Sequence, residues 1–148
     1  MKSAEAPVRE SINAFLHDYA RAVEAGDSDT IAASYAESYI EGDPSTSTAV
    51  TNDADYRAAL DVRHTAMTEQ FGLTGACVVV DDVLDLAPGY VLVRTRWTLD
   101  FAPPDGAAGS AHFAQTYVVR LGDDRPRILL YLSHEREDEA MRKLGLTT

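Results

Sequence analysis

The sequence predicts an α+β domain in which three N-terminal helices pack on one face of a curved, mainly antiparallel sheet. Helical periodicity is confined to the first half and strand periodicity fills the second, an order that specifies this class. Residues 76–101, ACVVVDDVLDLAPGYVLVRTRWTLDF, read as two long strands joined by a turn at Ala87, Pro88 and Gly89. In the second arm Val91, Val93, Thr95, Trp97, Leu99 and Phe101 alternate with a mixed polar row, so the period of two turns them to one face. A row that large needs a helical layer to pack against.

The elements follow in order. Over residues 8–25, Val8, Ile12, Phe15, Leu16, Tyr19 and Val23 fall within an arc of about 100° at helical spacing. Pro7 suits the first turn and Gly26 the stop. Asp27 or Ser28 caps a second, short helix through Ile31, Ala32 and Tyr35, ending near residues 37–39. The polar stretch 42–52 reads as a loop, with room for a short strand at residues 38–41. Asn52 or Asp53 caps a third helix that runs to Phe71 and stops at Gly72; Tyr56, Leu60, Met67 and Phe71 form its stripe, flanked by Arg63 and His64. After the hairpin, a turn-rich connection at 102–109 leads to a strand over 111–121, a turn at 122–126 and a last strand over 127–134. Ile128, Leu129, Leu130, Tyr131 and Leu132 run consecutively there, which predicts that both faces of that strand are covered, the outer one by a second copy of the chain. The tail holds one short helix at most.

A chain of 148 residues is one domain with room for a full core. Its formal charge of −11 repels phosphate backbones and anionic lipid, so nucleic-acid and membrane partners are not expected. The single cysteine, Cys77, lies in an apolar strand and is expected to be buried and inert. No apolar run reaches the length of about 18 residues needed to span a bilayer, and the start of the chain lacks a signal-peptide core, so a cytoplasmic location is the expectation. Metal-ligand spacing, a phosphate-binding glycine loop and a nucleophile elbow are all missing, so neither metal nor cofactor is expected.

Several features together resemble the nuclear transport factor 2-like superfamily, which includes ketosteroid isomerases and SnoaL-like polyketide cyclases. They are Tyr19 near the end of the opening helix, Ala25-Gly26-Asp27, Tyr35 soon after, Arg96-Trp97 in the hairpin and the terminal strand ILLYLSHE. The likeness spans residues 8–135 and departs at Asp124-Arg125-Pro126, where many relatives carry a Gly-Gly-Trp-like stretch. It implies a cone-shaped half-barrel with a pocket between sheet and helices, commonly dimerised through the outer sheet face. For function it implies a pocket for a small hydrophobic ligand, with lyase, isomerase or cyclase chemistry by general acid–base catalysis. The alternative is a non-catalytic dimeric module that binds a ligand or partner.

Asp82 is the sharpest candidate for chemistry. It is the lone charge in the row Val78, Val80, Asp82, Leu84 and Leu86, and a carboxylate desolvated in such a row serves as acid or base near neutrality. The competing reading is a bulge at Asp81-Asp82 that turns both carboxylates to solvent. His64 is the best-placed histidine, at the flank of a buried stripe; a packed interfacial histidine is the alternative. Tyr19, Tyr35, Tyr56, Trp97, Tyr117 and Tyr131 are candidate cavity-lining groups for a flat apolar ligand, or simply core. Asp100 is expected to pair with Arg94 or Arg96, and His112 and His134 to lie at the surface.

Overall fold

The computed structural model describes residues 1–136 and Glu139. Helix α1 (Ala6–Ala25) buries Ile12 and Leu16 completely, and Gly26, at φ 70°, ends it. Helix α2 (Ser28–Ala33) is capped by Asp27, whose carboxylate accepts from the backbone N–H and the hydroxyl of Thr30. The sheet comprises β1 (Tyr35–Gly42), β2 (Ser47–Thr51), β3 (Leu73–Ala87), β4 (Tyr90–Phe101), β5 (Gly109–Arg120) and β6 (Arg127–Ser133), with α3 (Ala54–Glu69) inserted after β2. The strand order is β2-β1-β6-β5-β4-β3. β1 runs parallel to β6 and every other neighbouring pair is antiparallel, so the sheet is mixed, six-stranded and open. The tail helix expected from the sequence lies outside the described residues.

The second helix is shorter than its periodicity suggests, and Tyr35 and Tyr39 belong to β1. Asn52 explains the early stop. Its side-chain amide donates to the carbonyls of Ala32, Tyr35 and Ala36, satisfying groups a longer helix would have paired internally. Asp53 is therefore the cap of α3, accepting from the N–H of Tyr56 at 2.9 Å. The polar loop 42–52 is mostly strand: Asp43 accepts from the N–H groups of Ser45 and Thr46, closing a tight turn that folds β2 onto β1.

The inner row of β4 is buried throughout, Trp97 included, and the indole meets Tyr19 of α1 edge-on at 5.7 Å. The helical layer thus covers the face to which the alternation pointed it.

The outer face holds the corrections. On β3 the register shifts between Val80 and Asp82. The extra residue flips the alternation, so Val83, not Asp82, turns inward and is 4 % exposed. Asp82 pairs across the ladder with Arg94, and both are exposed on the outer face. Arg96 grips Asp81 with two nitrogens, at 2.8–3.1 Å, and holds that carboxyl below its usual range. Asp100 instead accepts from the Ser110 hydroxyl. Cys77 is exposed, because it shares the outer face with Thr98 while its neighbour Val78 takes the inner one. Within the single chain β6 is covered on its inner side only: Ile128 is fully buried and Leu132 is 41 % exposed. His112 and His134 sit on the outer face against the hydroxyls of Thr98 and Thr116.

Candidate functional site

Between the inner sheet face and the helices lies a cavity of about 290 Å³, close to the lower end of the range for ligand pockets. α1 supplies Tyr19, β1 supplies Tyr35, Tyr39 and Glu41, and α3 supplies Tyr56 and Arg63. The central strands supply Trp97, Phe113, Gln115 and Tyr131. None of α3's residues is buried, and its inward positions form one wall of the space.

The phenols are organised in hydrogen-bonded pairs. The hydroxyls of Tyr19 and Tyr35 are 2.6 Å apart, Tyr39 donates to Tyr56 at 3.0 Å, and Tyr131 donates to Glu41 Oε2 at 3.0 Å. The rings pack edge-on, tilted or stacked, with the tilted pair Tyr35 and Tyr39 at a centroid separation of 4.2 Å and the stacked pair Tyr39 and Tyr131 at 6.5 Å. Burial raises the pKa of Tyr35 well above the ordinary phenol value, and the neighbouring hydroxyl of Tyr19 adds to the effect. Tyr39 is raised chiefly by desolvation and then by its bond to Tyr56. These groups are neutral donors at physiological pH, which is the state suited to stabilising negative charge on a bound oxygen.

Behind the cavity, Trp97 Nε1–H donates to the Tyr117 hydroxyl at 3.0 Å, and that hydroxyl donates to Gln115 Oε1. Tyr117 is wholly buried beneath the floor and does not line the space; the other five candidate aromatic residues do.

The two candidate titrating residues are not brought together. Asp82 lies outside, for the bulge reason given above. His64 does line the cavity, but its Nε2 is 3.0 Å from the Glu24 carbonyl oxygen. A carbonyl only accepts, so Nε2 carries a proton and is committed to the end of α1. The His64 ring lies directly over Gly26, where an added Cβ would stand 2.4 Å from Nδ1.

Sequence reasoning missed Glu41 and Gln115. For Gln115 the signal was present: it is the one polar residue in the alternating row Ala111, Phe113, Gln115, Tyr117 and Val119. Glu41 falls in the short strand for which residues 38–41 leave room, a segment too short for its alternation to show which side chains face inward. Among the described residues, no cluster of histidine, cysteine, aspartate and glutamate is arranged to hold a metal ion, and no helix is long and apolar enough to cross a membrane.

No protein-family profile matches the chain, and no curated protein sequence does either. Solved structures do match in shape. A ketosteroid isomerase-like protein from Erwinia carotovora atroseptica aligns with TM-score 0.62 at 15 % identity, over 84 % of this chain and 93 % of that one. A scytalone dehydratase-like protein from Novosphingobium aromaticivorans aligns with TM-score 0.65 at 14 % identity, over 84 % and 81 %. An NTF2-like protein with a cystatin-like fold from the same organism gives 0.61 at 17 %, over 95 % and 89 %. At such identities the likeness concerns the backbone alone. The chain has the nuclear transport factor 2-like, cystatin-like fold: helices on one face of a curved, open, mixed sheet.

Proposed function

We propose that the protein binds a small hydrophobic molecule in this cavity and acts on it by general acid–base chemistry of the isomerase, lyase or cyclase kind. The observation that carries the reading is that one aromatic-walled cavity is lined both by the paired Tyr19 and Tyr35 hydroxyls and by the Glu41 carboxylate, which Tyr131 binds. Neutral phenols serve as proton donors to a developing oxyanion, and the carboxylate takes a proton from carbon. The isomerase- and dehydratase-like character of two structural neighbours supports the same class of chemistry. The test is α-proton exchange of small cyclic ketones such as 2-tetralone in deuterated buffer, followed by NMR. Wild type should accelerate exchange, and Glu41→Gln should lose about 100-fold or more of that acceleration. Exchange no faster than in buffer, or a Glu41→Gln variant as fast as wild type, sinks the reading.

The outer sheet face supports a second component, a homodimer. Ile40, Leu130, Val118, Leu92 and Leu84 lie in one ladder row across five strands, and Ile40 is 38 % exposed. An aliphatic belt of this width suits a second copy of the same face. A dimer without turnover would be the non-catalytic binding module. Sedimentation at micromolar concentration should give twice the mass of the chain, and Val118→Lys should return it to monomer; a wild-type monomer refutes the dimer.

A further inference from the structure

We infer that Gln115 is a pre-oriented hydrogen-bond donor of the cavity, and that it selects ligands presenting a carbonyl-type oxygen. The inference deepens the reading above, since it concerns the same cavity, but it stands on a separate piece of geometry.

The argument starts at an indole. Trp97 Nε1–H can only donate, so the Tyr117 oxygen 3.0 Å away must accept. Having accepted there, the phenol has its own proton to place, and the oxygen of Gln115 receives it. That fixes which end of the Gln115 amide is which: Oε1 is held by Tyr117, and Nε2, with its two protons, is the end left over. Gln115 lines the cavity, and no described residue accepts from Nε2. The Thr95 hydroxyl donates to the Gln115 backbone carbonyl at 2.9 Å, tying this stretch of β5 to β4. The relay is sealed, since Tyr117 is fully buried and Trp97 nearly so.

An amide whose flip is decided by buried partners is a donor without reorganisation cost when the ligand arrives. It is matched by an acceptor oxygen set against the Trp97–Phe113 pair, whose rings are parallel at 6.4 Å. A ligand lacking that oxygen displaces water from the amide protons without replacing its bond, which is the strong form of discrimination. The ligand class is therefore an apolar, planar body carrying a ketone, aldehyde or ester carbonyl.

The test compares 2-acetylnaphthalene with 2-isopropenylnaphthalene, which replaces the carbonyl oxygen by a methylene of nearly the same shape. Binding is measured by NMR titration of the ¹⁵N-labelled full chain. Wild type should bind the ketone about tenfold more tightly than the alkene. Gln115→Leu should bring the ratio to about one, and Gln115→Glu should invert it. Tyr117→Phe leaves Gln115 in place but frees its amide to turn, and should lower the ratio to about threefold or less. The amide spectra of each variant verify folding, and Tyr117→Phe carries the test if a Gln115 variant does not fold. A wild-type ratio near one, no binding of the ketone, or an unchanged ratio in Gln115→Leu or Tyr117→Phe overturns the inference. Ketone selectivity without proton exchange would sink the acid–base reading alone; exchange without selectivity would sink this one alone.

Discussion

Gly26→Ala tests whether His64 is held by the end of the first helix. Gly26 has φ 70°, a conformation in which a Cβ costs about 1–2 kcal/mol. Independently, that Cβ would lie 2.4–2.6 Å from three atoms of the His64 ring, so the imidazole must swing away. Leaving, it forfeits the bond from Nε2 to the Glu24 carbonyl, worth about 0.5–1.5 kcal/mol. Gly26→Ala should therefore cost about 2–3 kcal/mol, or about 5–10 °C in Tm for a domain of this length. His64→Ala alone should cost about 1 kcal/mol. The double variant should be no worse than Gly26→Ala, because the second change removes the group with which the first collides. Urea unfolding of the four proteins gives the coupling energy, expected at about 1 kcal/mol. Additivity within about 0.5 kcal/mol would show that ring and glycine do not share a constraint, and the latch would be wrong.

Neighbouring positions on β3 make a sharper contrast. Asp82→Asn, on the outer face, should change Tm by no more than a degree or two and leave ketone binding unaltered. Val83→Asp, on the buried side of the bulge, should destabilise by about 3–5 kcal/mol, as for an unpaired interior charge; if thermal melts rank the two the other way, the register is misassigned. Alkaline titration probes the phenol cluster. Tyr35, Tyr39 and Tyr117 have pKa values raised by burial, so the folded state keeps protons that the unfolded chain releases above about pH 10. Their contribution is whole below that pH and is lost as pH rises further, so stability must fall there. Phenolate absorbance should rise for the exposed fraction of the seven tyrosines first, and for the rest only as circular dichroism reports unfolding. Smooth titration of all seven in a folded protein contradicts the burial.

How legible the fold was depended on whether periodicity had a competitor. The stripe of α1 and the inner row of β4 are long, and each fits one period only, so both are as read. Ile31, Ala32, Tyr35 and Tyr39 fit helical spacing equally well, and what ended the helix was Asn52, a side chain 20 residues away from Ala32. β2 carries no alternation to read, since its side chains are nearly all exposed. The bulge at Asp81 and Asp82 inverted the parity beyond it, which moved the best catalytic candidate out of the site. The competing reading of Asp81-Asp82 as a bulge rests on the tendency of adjacent acidic residues to disrupt a ladder, and it is the one the register shows. Most of the aromatic lining was recognised because large rings announce themselves. Of the polar groups among them, Gln115 was legible as the break in an apolar row, whereas the bonds that Tyr117 makes to it and Tyr131 makes to Glu41 exist only in three dimensions.

Helix α3 is fastened by the Asp53 cap, by the Tyr39–Tyr56 and His64–Glu24 hydrogen bonds along its length and, just beyond its end, by the bond from Ala102 N–H to the Gly72 carbonyl at 2.8 Å, while no side chain along it is fully buried. Tyr56, Leu60 and Met67 line the cavity and also pack against the core, so a substitution at any of them reshapes the roof of the chamber and loosens the interior together. The shape of the chamber and the stability of the domain are thus written in the same residues. A lineage that edits this roof helix to widen the chamber must restore the lost packing elsewhere.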